Sequence, residues 1–197
     1  MTAAVRSLPE DPRLLGRDVK RIAYDEEALR ARVAELGAEI TAVYGDDVRG
    51  GVGGGSSELL VLGLLKGSFV FLADLVRQIQ LPLHVDFLVA SSYGDGTVTS
   101  GDVKLVYDPE TELEGKHILL VEDIVDSGKT LNKLLGLLKG RAPRSIEICA
   151  LLHKRISREL AHPVRFVGFD APNEFLVGYG LDHAENFRHL PYVASLR

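Results

Sequence analysis

The stretch Ile118–Thr130 reads ILLVEDIVDSGKT. Four aliphatic residues run into Glu122 and Asp123; Ile124 and Val125 follow, then Asp-Ser-Gly-Lys-Thr. An apolar run closed by a turn signal predicts a strand buried on both faces, as in a parallel sheet. A helical stripe comes next at Leu131, Leu134, Leu135 and Leu138, so Asp126–Thr130 joins a strand to a helix. Short hydroxyl side chains, a glycine and the amides that open a helix make such a turn a cradle for an anion, which the helix dipole favours. The plainer reading is that Asp126 or Ser127 caps the helix. Gly128-Lys129-Thr130 also matches the tail of a Walker P-loop, but that motif needs Gly where this chain has Asp123, which excludes it. Glu122 and Asp123 are costly beside a buried strand unless a sugar hydroxyl or a metal meets them.

The 197 residues suffice for one compact α/β domain, here 1–197 with an irregular lead-in over 1–20. A content of 46% hydrophobic and 26% charged residues is that of a globular protein, and a net charge of -5 disfavours nucleic-acid partners. The single cysteine, Cys149, rules out an intramolecular disulfide; within the strand-like run Ser145–Leu152 it reads as a small core residue. No stretch approaches the roughly 20 apolar residues of a membrane span, and no signal-like segment opens the chain, which predicts a cytoplasmic protein without membrane partners. The six histidines show no metal-ligand spacing, so no zinc site is expected.

Outward from the central stretch, Asp25–Val43 predicts an amphipathic helix with Leu29, Val33, Leu36, Ile40 and Val43 on one face. Gly50–Ser57 is a glycine-rich connector without a G-x-G-x-x-G fingerprint. Leu59–Leu65 predicts a buried strand, Phe69–Ile79 a helix, and Leu83–Ala90 and Val103–Val106 strands around the polar loop Ser91–Gly101. Strands at Ile146–Leu152 and Val164–Gly168 precede an irregular tail. Alternating strands and helices imply a parallel α/β sheet, whose ligands bind at the carboxyl ends of strands.

All of Ile118–Thr130 is similar to the hydrophobic–acid–acid–hydrophobic–x–D–[ST]–G–x–T loop with which type I phosphoribosyltransferases bind phosphoribosyl pyrophosphate. Leu65-Lys66-Gly67-Ser68 resembles the pyrophosphate loop of the hypoxanthine-guanine branch of that family, although Ser68 stands where many members have a second Gly. Phe166–Leu190 (FVGFDAPNEFLVGYGLDHAENFRHL) resembles that branch's purine-binding segment. From about Leu59 to Leu190, roughly two-thirds of the chain, the likeness is nearly continuous and of bacterial type. It implies the type I phosphoribosyltransferase fold, a central mostly parallel sheet with helices on both faces plus a small hood carrying the purine segment.

The resemblance also implies roles. Asp126 would serve the purine N7 proton as general base or hydrogen-bond partner, and Ser127, Gly128, Lys129 and Thr130 would cradle the 5′-phosphate. Glu122 and Asp123 would hold the ribose hydroxyls, but successive strand residues face opposite ways, so both reach one sugar only if the strand ends there. Lys66, Gly67 and Arg188 would bind pyrophosphate, with the Leu65–Lys66 peptide often cis in relatives. Ser92 and Tyr93 would tip a lid that excludes water. Lys154 would meet the purine 6-oxygen, Phe175 would stack on the base, and Leu176 would pair with its edge through main chain. Asp182 would link the base site to Mg²⁺, mostly through water, with Glu122 and Asp123 as secondary metal candidates. Alone, each of these has a plain reading: a surface Lys in a turn, a mobile hairpin tip, a solvated basic cluster, a core Phe.

The activity implied is purine salvage: transfer of the 5-phosphoribosyl group to N9 of hypoxanthine or guanine, giving IMP or GMP and pyrophosphate. Relatives assemble as homodimers or homotetramers, which sets the same expectation here. A phosphoribosyltransferase-fold regulator that binds nucleic acid fits the acidic chain poorly. Lys154 with Phe175 disfavours a pyrimidine-specific enzyme, whereas a xanthine-preferring one stays open.

Overall fold

The computed structural model describes residues 11–14, 16–17, 19–50, 57–92, 103–126, 128–154 and 160–197. After a 3-10 turn at Pro12–Leu14 come β1 (Val19–Tyr24), α1 (Glu26–Arg49), β2 (Leu59–Leu65), α2 (Phe69–Val76), β3 (His84–Ser92) and β4 (Val103–Tyr107). Then follow β5 (His117–Val125), α3 (Lys129–Lys139), β6 (Ser145–His153), β7 (Phe166–Asp170), β8 (Leu176–Val177) and β9 (Val193–Leu196).

The predicted central strand is β5. It lies inside a six-stranded sheet ordered β4-β3-β2-β5-β6-β7, parallel except for the β3–β4 pair. Alternate residues divide between two cores. Leu119 and Val121 of β5, with Leu59 and Val61 of β2, pack against α1 and α2. Ile118 and Leu120, with Leu60, Leu62 and Leu64, pack against the leucine stripe of α3. Burial on both faces explains why these strands read as continuous apolar runs. Cys149 is buried in the first core, and burial pushes its thiol pKa up, as suits a packing residue.

Helix α1 starts where Asp25 accepts a hydrogen bond from the Ala28 amide at 2.8 Å. It runs past the expected end at Val43, because Tyr44 and Val48 continue the buried stripe and Gly50 (φ 80°) supplies the left-handed stop. Gly37 lets α1 meet the end of α2, since a Cβ there would lie 2.4 Å from Cβ of Gln78. Helix α2 ends at Val76, short of Ile79, and Gln78 closes it by donating to the Leu75 carbonyl. Strand β7 lies two residues later than predicted, where Arg32 of α1 donates to the carbonyls of Val167 (2.8 Å) and Gly168 (3.0 Å).

The irregular readings of the lead-in and the tail need correction. Strand β1 begins at Val19 and pairs antiparallel with β9, which pairs in turn with β8. This three-stranded sheet, ordered β1-β9-β8, is the hood, and it closes over Leu14, Val177, Phe187, Leu190 and Ala194. Among the described residues, no helix is long and apolar enough to cross a membrane.

At the opposite end of the sheet, His117 is buried, with Nδ1 2.6 Å from Ser145 Oγ and the ring edge-on to Tyr44. Burial holds its pKa below the ordinary 6.5, against the pull of Asp47. The unfolded chain therefore takes up a proton that the native state resists, so this contribution is complete above the unfolded value and lost as pH falls through the folded one. Thermal unfolding is expected to show a loss of stability below about pH 6.5 that is smaller in His117→Phe than in wild type. Parallel pH curves for the two proteins would show that His117 does not couple folding to protons.

Candidate active site

The largest group of candidate residues lies at and just beyond the carboxyl end of β5, but the strand does not stop at its acids. Pairing with β2 ends at Val121, whereas pairing with β6 runs on to Val125. The two acids accordingly diverge. Glu122 lines a cleft of about 140 Å³ with Asp126, Gly128 and Thr130, on the α3 side. Asp123 reaches the turn ahead of α2, where a Cβ on Gly67 would stand 1.6 Å from its Oδ2. Strand β5 thus runs on past both acids to Val125. Burial pushes the Glu122 carboxyl well above its ordinary pKa, and the Asp123 charge adds to that. Burial also raises Asp123, although the Ile124 amide donates to it at 2.7 Å and Arg188 lies near.

The N-cap of α3 is Gly128 (φ 78°), rather than Asp126 or Ser127, and among the described residues no side chain caps the helix. Ser127 lies outside the described residues. Lys129 and Thr130 form the first turn of α3, whose opening amides the helix itself does not bond. Asp126 is exposed and pairs with Lys154 Nζ at 2.8 Å. The Lys154 amide donates to the Val125 carbonyl at 2.9 Å, which holds the end of β6 beside the end of β5.

A second group gathers at the end of β2. The Leu65–Lys66 peptide is cis. Ser68 is fully buried and donates from Oγ to the Leu64 carbonyl at 2.7 Å, which tightens the turn that relatives build with glycine. Gly180 (φ 103°) packs over this turn, where a Cβ would lie 2.0 Å from the Gly67 carbonyl oxygen. Arg188 donates to the Gly180 carbonyl at 2.9 Å and pairs with Asp182 at 2.8 Å, while its buried Nε has no hydrogen-bond partner among the described residues. Lys66 pairs with Glu185 at 3.0 Å. Tyr179 donates to Asp74 of α2 at 2.6 Å, fastening the hood segment to the helix behind the turn.

The third group lies on the hood. Phe175 is 55% exposed. Strand β8 is an edge strand, and its neighbour β9 sends the Leu196 amide to the Phe175 carbonyl. Leu176, opposite Ser195, is thus in a non-hydrogen-bonded pair, and its own amide and carbonyl point away from β9 toward the open edge. Its side chain is buried. Ser92 ends β3, and Tyr93 lies outside the described residues.

The sequence profile of the phosphoribosyl transferase domain matches residues 35–184. The hypoxanthine phosphoribosyltransferase of Salmonella typhimurium is 50% identical over 171 residues, 87% of this chain and 92% of that one. The hypoxanthine-guanine phosphoribosyltransferase of Bacillus subtilis is 42% identical over 184 residues, 93% of this chain and 97% of that one. Among solved structures, a Staphylococcus aureus hypoxanthine phosphoribosyltransferase superposes with a TM-score of 0.81 at 37% identity, covering 91% of this chain and 92% of that one.

The chain belongs to the phosphoribosyl transferase family.

Within this phosphoribosyl transferase, reasoning from sequence passed over Glu185, which holds Lys66, and Gly180, which packs over the turn at Gly67. The pair of glycines in Val177-Gly178-Tyr179-Gly180 was the available signal, since both have positive φ. Glu185 carried none. Its φ of 66° places it in a tight turn that a helical or strand period does not mark.

Mg²⁺ fits the donors present. Among the described residues no group of three or more His, Cys, Asp or Glu could hold an ion. Asp123 and Asp182 are close enough to interact through charge, and both offer only oxygen. An ion that keeps its waters and takes one or two carboxylates plus substrate phosphates suits that set.

Gly67→Ala is expected to cost about 1–3 kcal/mol in thermal unfolding, because the new methyl meets Asp123. Gly136→Ala in α3, with nothing within 4 Å of the new methyl, is expected to be neutral or stabilising. Equal effects of the two substitutions would refute the tight fit at Gly67.

Proposed function

We propose that this chain transfers the 5-phosphoribosyl group of phosphoribosyl pyrophosphate to N9 of hypoxanthine or guanine, releasing pyrophosphate and forming IMP or GMP. The names and coverage of its relatives support that reaction. The observation that carries the reading is the Asp126–Lys154 pair at 2.8 Å. In a 6-oxopurine, N7 and O6 are neighbours on one edge of the ring. A carboxylate for N7–H beside an ammonium for O6 matches that order. Adenine offers an amino donor at the same place, which would leave the Lys154 cation unmatched, so an amino base is rejected.

The other groups follow from their positions. Phe175 gives an exposed ring to stack on the base, and the outward amide and carbonyl of Leu176 meet the base's edge. Ser127, Gly128, Lys129 and Thr130 take the 5′-phosphate, the last two in the first turn of α3. Glu122 serves the ribose hydroxyls from the cleft it shares with Asp126. Asp123 lies on the pyrophosphate side, beside Gly67, where Lys66 and Arg188 clamp the leaving group. Asp182 would hold Mg²⁺, mostly through water, with Asp123 and Glu122 as secondary candidates, and the ion would supply positive charge against the pyrophosphate. As the bond from C1 to pyrophosphate breaks and the bond from N9 to C1 forms, positive charge grows on the ribose. Fixed charge placed ahead of that change lowers the barrier. Asp126 holds the N7 proton while N9 attacks. Ser92 and Tyr93 belong to a lid that keeps water from the sugar carbon. Assembly as a homodimer or homotetramer in the cytoplasm completes the reading.

A Mg²⁺-dependent assay with hypoxanthine, guanine, xanthine, adenine and uracil tests it. Oxopurines are expected to be turned over, with adenine and uracil inert. Asp126→Asn is expected to lower turnover by about 10²-fold or more with phosphoribosyl pyrophosphate binding retained. Lys154→Ala is expected to raise the KM for oxopurines while thermal unfolding changes little. Folded protein that binds phosphoribosyl pyrophosphate yet turns over no base would overturn the enzyme reading.

A further inference from the structure

Phe175 poses a physical problem. A ring 55% exposed is not held by core packing, yet a stacking platform binds well only if it is already in place. Space lies open beside it: a cavity of about 490 Å³ is lined by Phe175, His183, Leu196, Arg197, Gly16 and Arg17. Among the described residues one aromatic ring lies against Phe175. That ring is His183, with centroids 5.2 Å apart and planes at 84°, an edge-to-face contact.

The His183 backbone is itself fixed. Its amide donates to the Asn186 carbonyl and its carbonyl accepts from the Asn186 amide, each at 3.1 Å. Ala184 (φ 49°) and Glu185 (φ 66°) between them make the tight left-handed turn. Asp182 accepts from the Glu185 amide at 2.9 Å, and Arg188 pairs with Asp182. The turn that presents the pyrophosphate and metal residues therefore also presents the imidazole to Phe175.

We infer that His183 is a positioning residue for the base subsite: it braces the Phe175 ring edge-to-face, leaving the ring ordered to receive a purine. This rests on the proposed role of Phe175 in stacking. The imidazole acts through the ring and touches no reacting atom, so its loss weakens binding of the base and spares the chemical step. An ordered platform lowers the cost of binding, which appears in KM and not in kcat.

Steady-state kinetics on the full chain with hypoxanthine and phosphoribosyl pyrophosphate test it. His183→Ala is expected to raise the KM for hypoxanthine about three- to tenfold, the range of an edge-to-face contact, with kcat and the KM for phosphoribosyl pyrophosphate within about twofold. His183→Phe, which keeps a ring at the position, is expected to restore the hypoxanthine KM. In a Phe175→Ala background, His183→Ala is expected to add nothing. An unchanged hypoxanthine KM, equal rises for both substrates, no rescue by Phe, or an additive double variant would each overturn the inference while the wild-type enzyme still works. A wild type that turns over no oxopurine overturns the proposed function, and the inference falls with it.

Discussion

The structure hangs on a close approach at Gly67. Below it lies the carboxylate of Asp123, at the end of β5; above it lies Gly180, from the hood. Three segments distant in sequence meet where no side chain intervenes. The turn at Gly67 fixes how β2 passes into α2, and α2 carries Asp74, which Tyr179 grips from the hood. Once Gly67 is seated, the hood's position over the sheet is constrained, and with it the positions of Phe175, Asp182 and Arg188.

That approach falls at a particular place in the sheet. Strands β2 and β5 are parallel neighbours, yet the helices that follow them lie on opposite faces: α2 packs in the core with α1, and α3 in the other. The chain leaving β2 turns one way and the chain leaving β5 turns the other. A crevice opens between them at the carboxyl ends, the usual ligand position in open α/β sheets. The same divergence explains the two acids. Successive residues of one strand, Glu122 and Asp123, project to the two sides of this crevice, one toward the anion cradle of α3 and one toward the Gly67 turn.

How much of this was legible follows from where the information lies. Strands β2 and β5, the α3 stripe and the loop between them announce themselves through local pattern, because burial on both faces leaves only apolar residues. The hood was expected from the resemblance, but its strands were illegible in local pattern for the opposite reason. Strand β8 has two residues and β9 four, and each exists by pairing with partners far away in sequence, as in Ile22↔Ala194. Lys154 and Asp126 could be named from their motifs, but their contact arises because β6 lies next to β5, which is a property of topology. The position of His183 against Phe175 depends on two non-glycine residues at positive φ, Ala184 and Glu185, and no residue-type signal marks them. The N-cap is Gly128 and not Asp126 or Ser127, the plain capping candidates: a turn that exposes amides does better without a side chain that would occupy them.

Charge at the crevice explains why these features stay together. Two adjacent carboxyls buried at the end of a sheet oppose folding, since burial raises the pKa of each, and a like charge adds to it, Asp123 for Glu122 and Asp182 for Asp123. Cations at hand offset this only in part. Arg188 is engaged by Asp182 and Gly180, Lys66 by Glu185, and Lys154 by Asp126. Each cation that would hold a pyrophosphate or a purine oxygen is thus held in place by a neighbouring anion. In the proposed reaction, phosphoribosyl pyrophosphate would bring hydroxyls to Glu122 and, with Mg²⁺, positive charge to Asp123, which would offset that desolvation cost. That balance favours a site whose acids are fixed before the ribose becomes cationic, which is the arrangement that electrostatic stabilisation of such a transition state requires.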